Sequence, residues 1–123
     1  MNKILVLDDD PDIASVVSLI LEMHGYICQF ITDYRELNTK VEEFKPEILI
    51  IDISLGGADG RDLCKALKEN PTTSQIHVIL FSANRDASKD YTSCRAEAFI
   101  PKPFDSKHLL DTIQKIVPNT AAI

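Results

Sequence analysis

The feature that most narrows what this chain can fold into is an alternation. Five short apolar runs, Ile4 to Leu7, Ile27 to Ile31, Ile48 to Ile51, Val78 to Phe81 and Ala98 to Ile100, are separated by segments of helical period. Runs this short match strands, and the longer periodic segments match helices. Ile13, Val16, Val17, Ile20 and Leu21 fall at i, i+3, i+4, i+7 and i+8, one face of a helix. Asp10 before Pro11 supplies its cap and first residue, and Gly25 after His24 supplies its stop. Tyr34, Leu37, Val41 and Phe44 make a second stripe that ends before Pro46. Leu63, Ala66 and Leu67 make a third, ending near Asn70-Pro71, and Leu109, Leu110, Ile113, Ile116 and Val117 form the last. The stretch from Asn84 to Arg95 is polar with few apolar anchors, and a short or mobile fourth helix is expected there.

Strands that alternate with helices are joined by crossovers, which make the sheet parallel and place helices on both faces. Near-continuous Ile/Leu/Val runs fit strands covered on both sides. The expected fold is α/β: a (βα)5 doubly wound, flavodoxin-like sheet of five parallel strands in the order 2-1-3-4-5. At 123 residues and 45% hydrophobic content the chain suits one core, so residues 1–123 are read as a single domain with a frayed tail at 118–123. A net charge of -6 opposes attraction to a nucleic-acid backbone, and no direct nucleic-acid partner is expected. The first apolar run, closed by Asp8, is too short for a signal-peptide core or a bilayer span, which predicts a cytoplasmic location and no membrane contact. Cys28, Cys64 and Cys94 form no C-x-x-C pair and are read as buried free thiols. His24, His77 and His108 lie near element ends and offer no catalytic geometry.

In an open sheet of this order, ligands bind beyond the carboxyl ends of the strands, where strand order reverses between strands 1 and 3. Strand 1 runs into Asp8, Asp9 and Asp10, and strand 3 into Asp52; strand 4 ends in Ser82, and strand 5 delivers Lys102 to the same edge. Clustered carboxylates repel unless a cation sits among them. An all-oxygen donor set points to Mg2+, with Mn2+ as the alternative. A carboxylate beside such an ion, with a lysine and a hydroxyl in reach, has the makings of an aspartyl-phosphate site. An acidic run after a strand is by itself commonly a helix cap and solvated turn, which suffices for Asp10 and Asp12. The joint occurrence of Asp8-Asp9, Asp52, Ser82 and Lys102, each group at the end of a different strand, favours chemistry.

On these residues the chain, from Lys3 to about Val117, resembles a stand-alone, chemotaxis-regulator-like receiver domain of the response-regulator family. Ile4-Leu-Val-Leu-Asp-Asp-Asp10 is similar to the family's first strand and acidic pair, here Asp8 and Asp9. Pro46-Glu-Ile-Leu-Ile-Ile-Asp-Ile-Ser-Leu-Gly-Gly-Ala-Asp-Gly60 is similar to the phosphoacceptor loop and places the acceptor at Asp52. Val78-Ile-Leu-Phe-Ser-Ala83 matches the strand ending in the switch hydroxyl, Ser82, and Ala98-Phe-Ile-Pro-Lys-Pro-Phe104 matches the Lys-Pro motif, with Lys102 pairing the phosphate. The resemblance further implies metal ligation by Asp9 and Asp52 side chains and the Ser54 backbone carbonyl, with Asp8 acting partly through water. It also implies a cis peptide at Lys102-Pro103 and a rotameric switch at Phe99, a residue whose other reading is core packing.

The function so implied is that of a two-component signal transduction response regulator. Its donor is a histidine kinase or histidine phosphotransfer protein. Its output is a downstream protein, or a homodimer, docking on the face of the fourth helix, fifth strand and fifth helix. Such a chain is no enzyme beyond catalysing its own phosphorylation and dephosphorylation. Two other readings compete: a haloacid-dehalogenase-like phosphatase with Asp8 and Asp10 as its D-x-D motif, and a pseudo-receiver that binds partners without phosphorylation. Three departures from the family pattern stand out: Gly56 replaces a usual proline, Cys94-Arg95-Ala96 replaces a small-glycine turn, and the interval from Ser82 to Lys102 is tighter.

Overall fold

The computed structural model describes residues 2–83 and 91–117. Strand β1 (Lys3–Leu7) leads to helix α1 (Pro11–Met23), then β2 (Ile27–Ile31). A 3-10 turn at Tyr34–Glu36 runs directly into α2 (Leu37–Phe44), followed by β3 (Ile48–Asp52), α3 (Gly60–Glu69) and β4 (His77–Ser82). A second 3-10 turn (Tyr91–Cys94) precedes β5 (Ala98–Pro101) and α4 (Ser106–Ile116), which is the fifth helix of the sequence pattern. Residues 84–90, most of the expected fourth helix, and the tail at 118–123 lie outside the described residues; the described end of the former is the 3-10 turn. The five strands are parallel in the order β2-β1-β3-β4-β5, as expected.

Period-two alternation sorts the central strands into two buried layers. Leu5, Leu7, Leu49, Ile51, Val78 and Leu80 face α2 and α3, whereas Ile4, Val6, Ile48, Ile50, Ile79 and Phe81 face α1 and α4. All twelve are fully excluded from water, each worth about 1.5–3 kcal/mol. This double covering is why the strands read as unbroken apolar runs. Lys68 of α3 ties the lower ends of β4 and β5: its ammonium donates to the Ile76 carbonyl at 2.7 Å and pairs with Glu97, whose other carboxylate oxygen accepts from the Val78 N–H at 2.5 Å.

Two helices bury faces slightly different from the expected ones. In α1 the buried residues are Ala14, Val17, Ser18 and Leu21, while Val16 is 52% exposed on the helix flank. In α3 the core takes Gly60, Cys64 and Leu67, and Ala66 faces water. Cys64 acts there as a small hydrophobe, which a stripe drawn through Leu and Ala alone passes over.

Candidate functional site

Each acidic residue reaches the site because a strand delivers it. β1 and β3 pair in register from Ile4 opposite Ile48 to Leu7 opposite Ile51, so Asp8 and Asp52 emerge side by side at the sheet's carboxyl edge. Asp8 is fully buried and Asp52 nearly so, while Asp9 is exposed on the rim. One carboxylate oxygen from each of the three lies within 4.8 Å of the others. β4 and β5 end opposite each other at Ser82 and Pro101, and the Lys102 N–H donates to the Ser82 carbonyl at 2.8 Å. That contact puts the Lys102 side chain across the cluster: its ammonium donates to Asp8 Oδ2 at 2.8 Å and to Asp52 Oδ2 at 3.0 Å. Asp8 Oδ1 accepts from the Asp10 N–H at 3.0 Å, and Asp52 Oδ1 from the Ser54 N–H at 3.2 Å.

Burial raises the Asp52 pKa above the ordinary carboxylate value, and the neighbouring Asp8 charge adds to this, against the opposing pull of Lys102. Burial works against the Lys102 charge as well, but the hydrogen bonds its ammonium donates to Asp8 and Asp52 outweigh it and its pKa is raised. Three carboxylates thus face one ammonium, leaving two negative charges uncompensated. The donor set, its charge and its half-open rim fit a hard divalent cation.

Other residues shape the pocket. Asp10 caps α1, accepting from the N–H groups of Asp12 at 2.9 Å and Ile13 at 3.5 Å, so it takes the structural role and leaves no D-x-D pair for the phosphatase reading. Gly56 has φ +71°, a conformation closed to the ring-locked φ of proline, which accounts for the absence of proline there. Arg95 takes φ +67°, filling in the second departure a position where glycine would be at ease. A methyl group at Gly60 would lie 2.4 Å from the Asp52 carbonyl oxygen, so only glycine lets α3 start against the end of β3. Phe81 and Phe104 stack with ring centroids 5.3 Å apart, and the Lys102 ammonium sits 5.9 Å from the Phe81 ring centre. The sequence reading gave neither Gly60 nor the Phe81–Phe104 pair a role, because their significance lies in approaches across the fold. Ser82 is buried at the site edge, and Phe99 is half-buried against the α2–α3 core layer. The Lys102-Pro103 peptide is cis, as expected. His24 closes α1, its Nδ1 2.9 Å from the Ile20 carbonyl oxygen, and His77 opens β4, so both stand away from the site.

A doubly wound sheet whose switch point gathers three carboxylates under a lysine defines a receiver-type α/β domain. The chain belongs to the response-regulator receiver-domain family, whose model matches residues 4–114. It is 30% identical over 126 residues to the DNA-binding dual master transcriptional regulator RpaA of Synechocystis sp., covering 100% of this chain and 52% of that protein. It is 28% identical to the DNA-binding response regulator MtrA of Mycolicibacterium smegmatis, over 92% of this chain and 49% of that one. The chain therefore spans about half the length of these curated relatives. Among solved structures, the signal receiver domain of a response regulator from Bermanella marisrubri superposes with a TM-score of 0.86 at 28% identity, covering 94% of this chain and 97% of that one.

The chain is accordingly a receiver domain of two-component signal transduction, a class that acts as a phosphoacceptor switch, interacts with histidine kinases and generally binds Mg2+ in an acidic pocket. Among the described residues no helix is long and apolar enough to cross a membrane.

Proposed function

We propose that Asp52 accepts a phosphoryl group from a phosphohistidine on a histidine kinase or histidine phosphotransfer protein, in a Mg2+-dependent reaction, and that the chain catalyses only its own phosphorylation and its dephosphorylation, in which water takes the phosphoryl group as inorganic phosphate. The observation that carries the reading is the Lys102 ammonium bridging Asp8 Oδ2 and Asp52 Oδ2 above a third carboxylate, Asp9. Asp8, Asp9, Asp52 and the Ser54 backbone carbonyl would hold the cation, which when bound offsets charge on the phosphoryl oxygens. Asp52 supplies the attacking carboxylate oxygen; the P–N bond to the donor imidazole breaks as the P–O bond to Asp52 forms. Lys102 then transfers one of its hydrogen bonds to a phosphoryl oxygen, and Ser82 donates its hydroxyl to another. A group of about -1.5 to -2 charges gained at Asp52 biases the loop after β3 and the Ser82 end of β4 between two arrangements. Phe99 turns with them, changing the face of β5 and α4 on which a downstream protein or a second copy docks.

A protein donor fits the surroundings of the site. Ile13, Val16 and Ile20 on the flank of α1, with Ala83, Pro103 and Phe104, line an apolar cavity of about 580 Å³ beside Lys102.

The test is intact-protein mass after incubation with phosphoramidate and Mg2+. Gain of one phosphoryl group that requires Mg2+ and is lost in Asp52→Asn is the expected result. No gain, under conditions that label a known receiver, would contradict the reading and leave a pseudo-receiver.

A further inference from the structure

Cys64 and Cys94 meet in the interior from different elements. Cys64 lies in the buried stripe of α3, and Cys94 closes the 3-10 turn ahead of β5. The Cys64 thiol donates to the Cys94 carbonyl at 3.3 Å, and both side chains are buried in the same core cluster. Both belong to the core layer under α2 and α3, whereas Cys28 sits in the opposite layer with α1 and α4. The three thiols thus divide into one adjoining pair and one isolated group, and the phosphoryl chemistry uses none of them.

The turn that carries Cys94 is the weak side of this contact. It is four residues long, its closing bond runs from the Arg95 N–H to the Thr92 carbonyl at 3.0 Å, and Thr92 and Ser93 are exposed. The left-handed φ of Arg95 just beyond it is one that non-glycine residues rarely adopt. Burial raises the pKa of the Cys64 thiol far above its ordinary value, so little thiolate forms while the turn is closed. Local opening of a short exposed turn costs far less than opening the core, and it uncovers Cys94 first.

We propose that Cys64 and Cys94 form a redox-sensitive pair that closes to an intramolecular disulfide when the chain meets hydrogen peroxide. The Cys94 thiolate attacks one peroxide oxygen and the O–O bond breaks, giving a sulfenic acid and, after proton uptake, one water. The Cys64 thiol then loses its proton, and its sulfur displaces hydroxide from the sulfenic sulfur, forming the S–S bond and a second water. Two thiols give up two electrons, and one peroxide becomes two waters. The crosslink fastens the turn that feeds β5 and Lys102 to α3, whose first residue packs on the Asp52 carbonyl. Oxidation therefore braces both sides of the acidic site, and the inference stands apart from the phosphoacceptor reading.

The test treats the folded chain with graded hydrogen peroxide, unfolds it in N-ethylmaleimide to cap free thiols, and reads intact mass and a peptide map. The expected result is loss of two hydrogens, about 2 Da, with one maleimide on Cys28, a crosslink joining the Cys64 and Cys94 peptides, and reversal by dithiothreitol. Cys28→Ser should leave the crosslink in place, and Cys94→Ser should remove it. Oxygen adducts without the crosslink, a bond to Cys28, or three cappable thiols at doses that oxidise a control dithiol would each overturn the proposal. The wild-type map decides the matter without relying on any variant's folding.

Discussion

Lys102 is the residue on which the burial and charge of the site converge, since its ammonium satisfies the fully buried Asp8 and the nearly buried Asp52 at once. The partners of this bridge were legible in the sequence because each one ends a strand, and strand ends of a doubly wound sheet share an edge. The bridge geometry was not, nor was the need for glycine at position 60, because both depend on approaches between residues distant in sequence. Gly60→Ala pushes a methyl group against the Asp52 carbonyl oxygen and should cost ~1–3 kcal/mol in urea unfolding, as overpacked positions do. An unchanged midpoint would mean that α3 starts elsewhere. The thiols give a second check at this scale. Burial pushes Cys28 up to about 11 and Cys64 higher still, so both should resist iodoacetamide at pH 8 in the folded chain and react on unfolding. Prompt alkylation of either without denaturant would contradict their placement.

The helices are set by their caps as much as by their apolar faces. Asp10, Asp59 and Asp105 each accept from a backbone N–H in the first turn of α1, α3 and α4. Asp10→Ala should lower stability by ~1 kcal/mol. It should leave Mg2+-dependent phosphorylation intact, because Asp10 caps the helix and stands outside the carboxylate cluster. Loss of phosphorylation at full folding would return Asp10 to the chemistry. Asp59 adds a pH signature. Its hydrogen bond from Arg61 holds its carboxyl below the ordinary range, so its stabilisation is present above the unfolded value and is lost as pH falls through the folded one. The stability gap between wild type and Asp59→Ala should therefore shrink on going from pH 7 to pH 3, and a gap that widens would reverse the assignment. The start of α1 at Asp10-Pro11 and its stop at Gly25 were readable because capping chemistry is local. The buried face of α3 was readable in part: Leu67 of the expected stripe and the thiol of Cys64 are buried, whereas Ala66 of that stripe faces water.

At the scale of the whole molecule, the parallel sheet and its two core layers followed from alternation, and the strand order from the common order of five-stranded doubly wound sheets. The carboxylate cluster that this topology gathers carries two uncompensated negative charges, so a divalent cation should stabilise the native state. At a hundred times its dissociation constant Mg2+ should add ~2.7 kcal/mol if it binds only the folded chain. The gain, read as a shift in Tm, should vanish in Asp9→Asn, whereas an equal shift in that variant would place the ion elsewhere. The most direct test of the central claim is to phosphorylate the chain with phosphoramidate and Mg2+, reduce the acyl phosphate with borohydride, and map the product by peptide mass. Homoserine at position 52 alone is the predicted outcome. Homoserine at Asp8 or Asp9, or none at any position in a sample that has gained a phosphoryl group, would contradict it.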